Sequence, residues 1–340
     1  MMQTKLTTTP KVAVLGAGSW GITLASLLLE NSLQVSVWDK DKKVLDYISE
    51  NKTHFRMNQL NLEGITVYDD PVSMVSENEL ILIVVPSHAF RETIQRIKQA
   101  KWQGKTFLIC TKGLENSSRK LLSQVMEEEL GEKGYSLAIL SGPSHAEEVA
   151  DRKPSSVTIA SKDEPLAENL QKIFHTPNFR TYTNPDLIGV QVGAAVKNVL
   201  AIAAGICDGL ELGDNAKAAL ITRGLAEISR IGKRLGAHPM TLMGLSGLGD
   251  LVVTTMSRHS RNRAFGEYLG KGMSVDEALK KVEMVVEGYY TVETVFFLSK
   301  ELVVDMPITE AVYRLIYKGG SPQKEVSKLM QREVKEEIYD

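Results

Sequence analysis

The segment that decides the fold is Lys11-Val-Ala-Val-Leu-Gly-Ala-Gly-Ser-Trp-Gly21, near the start of the chain. Its first five residues form a short apolar run that is typical of a buried strand. Gly16, Gly18 and Gly21 then follow the spacing G-x-G-x-x-G, and the apolar pattern of Ile22–Leu29 predicts a helix after them. In this setting the first glycine makes a tight turn, the second lets backbone N–H groups approach a pyrophosphate, and the third lets helix and strand pack closely. The segment therefore predicts a dinucleotide-binding turn, with the helix N-terminus facing the phosphates.

An acidic residue follows this turn at the distance expected of a ribose-binding carboxylate. The apolar segment Gln34–Trp38 predicts a second strand that ends in Asp39, which comes 39 − 16 = 23 residues after Gly16. A carboxylate here favours the free ribose hydroxyl of NAD, whereas the neighbouring Lys40 could accept the 2′-phosphate of NADP. The pair leaves both cofactors open. The alternative is an ordinary strand–helix turn, with Asp39 a solvated loop acid.

Composition limits the kind of protein this chain can be. Its 340 residues are enough for two domains, and 43% hydrophobic with 24% charged residues is typical of a globular protein. The net charge of −2 provides no general attraction for nucleic acid, so we expect no nucleic-acid partner. Cys110 and Cys207 both lie in apolar segments. They predict neither a disulfide framework nor a metal site.

The sequence also carries no sign of membrane insertion or export. Residues 1–10 are polar and lack the apolar core of a signal peptide. We identify no apolar run that approaches the roughly 20 residues needed to span a bilayer. We therefore expect a soluble, cytoplasmic protein.

Strand and helix patterns alternate through about Tyr182. The near-continuous apolar run Leu80–Val85 is typical of a strand buried on both faces of a parallel sheet. Beyond Pro185, long helical patterns replace the strands. The chain is therefore predicted to be an α/β protein with a doubly wound, Rossmann-like parallel sheet. We expect a dinucleotide-binding domain over residues 10–184 and an all-helical substrate and catalytic domain over residues 185–335.

Lys197 is the most informative residue for chemistry, because it lies inside the apolar helical pattern of Val190–Ala204. Its neighbours at helical spacing are small or apolar: Gly193, Ala194, Leu200 and Ala201. Such surroundings lower the pKa of a lysine and suit it to proton transfer near neutral pH, and they leave room for a ligand. The alternative is a lysine on the exposed face of an amphipathic helix, since most lysines are exposed.

Three further positions carry candidate functional groups. Lys112 follows a predicted strand, where its ammonium could polarise a carbonyl or hold a phosphate, or could be a plain loop lysine. Asp250 ends the glycine-rich loop Ser246–Asp250 and could orient a lysine, bind a hydroxyl or cap a helix. The basic segment Ser257–Arg263 fits a small phosphorylated ligand, or is a solvated loop.

With these segments assembled, the chain resembles the bacterial type of NAD(P)-dependent glycerol-3-phosphate dehydrogenase over about residues 10–335. The motifs that carry the resemblance are Gly-Ala-Gly-Ser-Trp-Gly at 16–21, Val-Pro-Ser at 85–87, Lys-Gly-Leu-Glu at 112–115, Ser-Gly-Pro-Ser-His-Ala at 141–146, Ala-Val-Lys-Asn at 195–198, Gly-Leu-Gly-Asp at 247–250, Ser-Arg-Asn-Arg at 260–263 and Val-Glu-Gly at 286–288. One segment departs from the family pattern. The family usually has Tyr-Leu-Pro where this chain has Met57–Leu60, which leaves the conformation of that loop open.

The resemblance implies an enzyme that interconverts sn-glycerol 3-phosphate and dihydroxyacetone phosphate with NAD or NADP, supplying glycerol 3-phosphate for phospholipid synthesis. It implies that Lys197 is the catalytic proton donor and acceptor. The substrate-binding residues that it implies are Lys112, Gly142, Ser144, Asp250, Ser260, Arg261 and Asn262. The cofactor-binding residues would be Gly16, Gly18, Ser19, Trp20, Gly21, Lys40, Lys112, Ala146, Arg261, Val285 and Glu287. We further expect a phosphorylated small-molecule substrate, no metal and a homodimer.

Two other interpretations remain open at this point. A β-hydroxyacid dehydrogenase or ketopantoate reductase has a similar sheet and helical domain, and would select a carboxylate instead of a phosphate. A redox-sensing module would bind NAD(H) without turnover. That interpretation requires no lysine in an apolar helix, so the sequence favours it less.

Overall fold

The computed structural model describes residues 6, 7, 9–334, 336 and 337 of the chain. The chain divides into two compact units. Unit 1 comprises Met1–Glu115 and Lys120–Leu187, and unit 2 comprises Asn116–Arg119 and Ile188–Asp340. Of the N-terminal segment 1–10, for which the sequence predicted no signal peptide, residues 1–5 and 8 lie outside the described residues.

Unit 1 is built on a single sheet of eight strands, in the order β3-β2-β1-β4-β5-β6-β7-β8 among the described residues. The strands are β1 Val12–Leu15, β2 Val35–Trp38, β3 Thr66–Val67, β4 Leu80–Ile83, β5 Thr106–Ile109, β6 Ser136–Ser141, β7 Ser155–Ala160 and β8 Phe179–Asn184. The chain leaves β1 towards β2 on one side and later returns to β4 on the other. The order of strands therefore reverses beside β1, where doubly wound sheets bind their ligands.

The predicted doubly wound sheet is confirmed, but two strands at one edge, β7 and β8, run against the other six. β6 and β7 pair antiparallel, with Ile139 opposite Ala160. The connection between them contains only α6, Ala146–Ala150. The five residues of α6 span about 7 Å, whereas the six-residue strand β6 is about 20 Å long, so α6 does not carry the chain back along the strand.

Seven helices flank the sheet of unit 1 within the described residues. They are α1 Ser19–Glu30, α2 Lys42–Asn51, α3 Pro71–Glu77, α4 Phe90–Ile97, α5 Leu122–Leu130, α6 and α7 Glu164–Phe174. Several of these helices begin at a residue whose side chain caps the first turn. For example, the Asp70 carboxylate accepts hydrogen bonds from the N–H groups of Val72 and Ser73.

The described residues of unit 2 form helices and no strand. The α-helices are α8 Leu187–Gly209, α9 Asp214–Leu235, α10 Pro239–Leu242, α11 Asp250–Met256, α12 Arg261–Gly270, α13 Val275–Val282, α14 Glu287–Glu301, α15 Pro307–Tyr317 and α16 Pro322–Met330. A π-helical turn at Leu245–Gly249 leads into α11. Sequence reasoning missed α10, α11 and α16, which are short or polar.

Helix α8 forms the centre of unit 2. It is the one helix in the described part of the chain whose length and apolar composition would allow it to cross a membrane, and 94% of its most apolar window is buried in protein. The expectation that no apolar run approaches spanning length is therefore wrong for α8, although its apolar residues are buried in protein. α8 approaches α12 closely through glycines, since a Cβ on Gly205 would lie 1.9 Å from the carbonyl oxygen of Arg263.

Candidate active site

The glycine-rich turn after β1 has the geometry that its spacing predicts. Gly16 adopts φ +106°, and its N–H donates to the carbonyl of Trp38 at 2.8 Å. A Cβ on Gly16 would lie 2.9 Å from the backbone of Val84, and a Cβ on Gly21 would lie 1.9 Å from the carbonyl oxygen of Gly16. These two glycines are therefore required for the turn itself to fold and pack.

Gly18 and the start of α1 have a different character. A Cβ on Gly18 would meet nothing within 4 Å. No side chain caps the N-terminus of α1, and no acidic residue lies in its first turn. Among the described residues, the indole Nε1 of Trp20 is buried and has no hydrogen-bond partner. Open space and uncapped N–H groups at a positive helix end are what a pyrophosphate requires, so these residues fit a bound dinucleotide.

Asp39 lies at the carboxyl end of β2 and connects that strand to the glycine turn. Its Oδ2 accepts from the N–H of Ala17 at 2.7 Å, and its Oδ1 accepts from the N–H of Asp41 at 2.9 Å. The adjacent Lys40 is exposed, and its Nζ contacts Glu92 at 3.0 Å. Backbone N–H groups thus fix the Asp39 carboxylate, whereas the Lys40 ammonium is in a solvent-exposed ion pair.

The loop that departs from the family pattern forms two consecutive turns. The N–H of Met57 donates to the carbonyl of His54 at 2.8 Å, and the N–H of Leu60 donates to the carbonyl of Met57 at 3.1 Å. Both Met57 and Leu60 are buried in the core of unit 1. Burial, with a smaller effect from Arg56, lowers the pKa of His54 to about 4, so this imidazole is neutral at physiological pH.

Three of the residues expected to bind substrate lie together in unit 1. The Nζ of Lys112 donates to the carbonyl of Gly142 at 2.8 Å and to the Oγ of Ser144 at 3.3 Å. The Ser144 hydroxyl in turn donates to the Gly142 carbonyl at 2.9 Å. Ala146, expected to contact the cofactor, is the first residue of α6 and is buried. Lys112 is therefore a positioned ammonium at the carboxyl end of β5.

Lys197 is buried in unit 2, and the structure gives it polar partners that its own helix does not supply. Its Nζ forms an ion pair with Asp250 and donates to the Oγ of Thr254 at 2.9 Å. The Thr254 hydroxyl donates to the carbonyl of Asp250 at 2.6 Å. The side chains of Lys197 and Asp250 are only 6% and 2% exposed. The apolar surroundings inferred from the sequence are thus incomplete, because a carboxylate stabilises the ammonium form.

The space beside Gly193, on the same helix as Lys197, is filled by protein. We expected the absence of a side chain at Gly193 to leave room for a ligand. Instead a Cβ at this position would lie 2.6 Å from the carbonyl oxygen of Ser246 and 3.0 Å from Gly247. Gly193 therefore makes room for the π-helical turn Leu245–Gly249, and that turn delivers Asp250 to the lysine.

The motif at 260–263 is tied to the same part of unit 2. The Nδ2 of Asn262 donates to the Oδ1 of Asn198 at 3.1 Å, and the Oδ1 of Asn262 accepts from the N–H of Gly288 at 2.8 Å. Ser260 caps α12, with its Oγ accepting from the N–H of Arg263. The guanidinium of Arg261 is exposed, and its Nη1 donates to the carbonyl of Val285 at 3.2 Å. Because Gly288 follows Glu287, this network also fixes the start of α14.

Sequence reasoning missed Thr254, although a signal for it exists. Thr254 lies four residues after Asp250, so the two side chains share one face of α11. The Ser260–Arg263 motif contains one residue whose side chain makes a different contact. The Nη1 of Arg263 forms an ion pair with the carboxylate of Asp208 at 2.6 Å.

The sheet and its glycine turn define the class of this protein as an NAD(P)-binding oxidoreductase with a helical second unit. Comparison with known families specifies the class further. The model of the NAD-dependent glycerol-3-phosphate dehydrogenase N-terminus matches residues 11–167, and the model of the C-terminus of the same family matches residues 186–327. The chain therefore belongs to the NAD-dependent glycerol-3-phosphate dehydrogenase family.

Relatives agree over nearly the whole chain. It is 45% identical over 336 residues to a glycerol-3-phosphate dehydrogenase [NAD(P)+] of Geobacillus kaustophilus, covering 97% of this chain and 96% of the relative. It is 44% identical over 331 residues to the enzyme of the same name from Chlorobium limicola, covering 96% and 99%. The crystal structure of glycerol-3-phosphate dehydrogenase from Coxiella burnetii is 39% identical, has a TM-score of 0.92, and is matched over 96% of this chain and 100% of that one.

Proposed function

We propose that this protein catalyses the reversible, NAD(P)-dependent interconversion of dihydroxyacetone phosphate and sn-glycerol 3-phosphate. The observation that carries the proposal is the buried Lys197, ion-paired with Asp250, in a chain that also has a dinucleotide turn and belongs to this family. Family membership favours this reaction over that of a β-hydroxyacid dehydrogenase or ketopantoate reductase.

Lys197 is the proposed general acid. As the ketone is reduced, negative charge develops on its oxygen, and a proton must reach that oxygen. The Lys197 ammonium would donate this proton, and the neutral amine would remove it in the reverse direction. The contacts to Asp250 and Thr254 support this role, because they leave the amine few orientations and stabilise its charged form between turnovers.

Recognition of the phosphate is proposed for the start of α12. The exposed guanidinium of Arg261 suits a phosphate, since its planar fork can donate two parallel hydrogen bonds. The Ser260 oxygen accepts from backbone, which leaves its hydroxyl hydrogen for the substrate. Asn262 would hold the substrate through the remaining capacity of its Nδ2. We assign Lys112, with Gly142 and Ser144, to substrate binding as well.

The cofactor would be held by the open start of α1. Gly16, Gly18 and Gly21 would shape the turn, and Ser19 and Trp20 would contact the dinucleotide. When bound, the nicotinamide supplies or accepts the hydride. Lys40, Lys112, Ala146, Arg261, Val285 and Glu287 complete the proposed cofactor-binding set. The free N–H groups of α1 and the orphaned indole of Trp20 support this assignment.

The proposal extends to the cellular role. A product that carries a phosphate and two hydroxyl groups would serve phospholipid synthesis. We propose that the protein works in the cytoplasm as a homodimer. Size-exclusion chromatography with light scattering would test the dimer, since a mass of one chain across micromolar concentrations contradicts it.

The direct test of the activity is a spectrophotometric assay. NADH and NADPH oxidation should depend on dihydroxyacetone phosphate and should not be supported by ketopantoate or other 2-keto or 3-keto acids. Turnover with a keto acid instead of the ketone phosphate would favour the competing dehydrogenases. Tight NADH binding without turnover of any of these substrates would favour a redox-sensing module.

A further inference from the structure

Arg91 is the centre of a charged cluster in unit 1 that the proposed mechanism does not use. It lies in the first turn of α4. Its Nε and Nη2 donate to the two carboxylate oxygens of Glu115, both at 2.6 Å. Its Nη1 donates to Glu129 at 2.6 Å, and its Nη2 also donates to Glu128 at 2.7 Å. One guanidinium thus joins the segment at Glu115 to helix α5.

The pair with Glu115 is the most buried part of this cluster. The side chain of Glu115 is 9% exposed, whereas that of Glu128 is 36% exposed. The hydrogen bonds to Glu115 raise the pKa of Arg91 above its usual range. The ion pair with Arg91 offsets the cost of burying the Glu115 carboxylate, so Arg91 contributes to holding Glu115 in position. The geometry is bidentate, which lysine cannot reproduce because it offers one compact ammonium.

Glu115 also closes the loop that carries Lys112. Its N–H donates to the carbonyl of Lys120 at 3.0 Å, and Leu114 forms an isolated bridge with Leu121. At the other end of the loop, the Thr111 hydroxyl bonds to backbone carbonyls at the end of β4. Between these anchors, Lys112 is followed by Gly113, with φ +143°. The path of the backbone at Lys112 is therefore set from its two ends.

We propose that the Arg91–Glu115 pair positions Lys112 for its substrate, an inference that rests on the proposed function. Arg91 is a positioning residue, since it acts through Glu115 and the loop. The pair holds the C-terminal anchor of a short glycine-containing loop, and the hydrogen bonds of Lys112 to Gly142 and Ser144 depend on the position of that loop. Reactions of bound substrates lose about 10²-fold in rate for a misplacement of about 1 Å, so a loosened anchor has a measurable effect.

The test compares Arg91→Lys with a matched variant, Arg314→Lys. The guanidinium of Arg314 pairs with the buried carboxylate of Glu325 at 2.7 Å and with Glu310 at 2.9 Å, at the end of α15 in unit 2. Each substitution replaces an arginine that binds a buried glutamate. The new lysine keeps the positive charge but lacks the planar pair of donors of a guanidinium. We expect both to lower the midpoint of urea unfolding. Only Arg91→Lys should lower kcat/KM for dihydroxyacetone phosphate, by about 10-fold or more.

A double-mutant cycle with Lys112→Ala separates positioning from general loss of structure. If Arg91 acts through Lys112, Arg91→Lys causes little further loss of kcat/KM in the Lys112→Ala background, measured at high enzyme concentration. Equal kinetic effects of Arg91→Lys and Arg314→Lys, or additive effects in the cycle, overturn the proposal. Glu115→Gln keeps the shape of the pair and provides the same test if Arg91→Lys does not fold. Should Lys112→Ala itself keep wild-type kinetics, the proposed role of Lys112 is what fails.

Discussion

Gly18→Ala separates the cofactor site from the fold, because Gly18 is the glycine of the turn that the fold does not need. Its φ of −67° and ψ of 175° are accessible to alanine, and the added Cβ would meet no protein atom within 4 Å. A Gly→Ala change at such a position stabilises a protein by about 0.4–1 kcal/mol through the unfolded chain. We therefore expect Gly18→Ala to fold with unchanged or slightly raised stability.

Cofactor binding should respond in the opposite way. The new methyl group lies where the pyrophosphate is proposed to approach the backbone. Overlap of one methyl group with a closely packed partner typically costs about 1–3 kcal/mol, which raises Kd for NADH roughly 5- to 150-fold. Isothermal titration calorimetry with NADH and with NADPH measures this, and thermal unfolding without cofactor measures the stability of the same samples.

Gly21→Ala is the comparison for this experiment. Its Cβ would lie 1.9 Å from the carbonyl oxygen of Gly16, so we expect loss of stability before any question of binding arises. The reasoning is refuted if Gly18→Ala binds both cofactors with wild-type affinity, since the pyrophosphate would then not lie against this turn. It is equally refuted if Gly18→Ala is destabilised as strongly as Gly21→Ala.

Three more predictions follow from the ion pairs and the buried acid. Asp250→Asn removes the charge beside Lys197, so kcat for ketone reduction should fall about 10-fold or more and the alkaline limb of its pH profile should move to lower pH; an unmoved limb contradicts this. Glu92→Gln releases Lys40, so the ratio of kcat/KM for NADPH to that for NADH should rise about two- to five-fold; an unchanged ratio argues against Lys40. Burial raises the pKa of Glu227 from 4.5 to about 7, so the folded state binds a proton between these values that the unfolded state has released. The free energy of unfolding should therefore fall by about 3 kcal/mol as pH rises through this interval, and Glu227→Gln should lack this component in urea unfolding near pH 5 and near pH 8.

The sequence was sufficient for most of the sheet and for the glycine turn after β1. Strands such as β4 are continuous apolar runs, and Gly21 is required by its contact with Gly16, a few residues before it. Both signals are local, so they can be read without knowing the rest of the fold. The antiparallel pairing of β7 could not be read in this way, because it depends on how far α6 carries the chain.

The polar surroundings of Lys197 show the limit of sequence reasoning. On its own helix, the neighbours of Lys197 at helical spacing are all small or apolar. Asp250 and Thr254 reach it from another helix, and Gly193 is small because the turn before Asp250 packs on it. A contact between residues 53 positions apart, from 250 − 197, follows from helix packing and leaves no local pattern in the chain.

The Arg91–Glu115 pair was missed for a similar reason. Arg91 lies in an amphipathic helix where an arginine is expected on the solvent side, and the motif that ends in Glu115 carries no sign of a partner 24 residues earlier. Only the fold brings the two into a bidentate, largely buried pair. A positioning role is therefore harder to find from sequence than a ligand-binding role, since it depends on distant partners.

The turnover of Lys197→Met tests the central claim most directly. Lys105→Met is the matched control, because Lys105 is a partly buried lysine whose ammonium donates to the backbone carbonyls of Ser76 and Asn78 in unit 1. In single-turnover reduction of dihydroxyacetone phosphate, we expect Lys197→Met to lose about 10²–10⁴-fold in rate while binding NADH normally, and Lys105→Met to lose stability with little change in rate. A Lys197→Met enzyme that reduces the ketone at the wild-type rate would contradict the assignment of Lys197 as the proton donor.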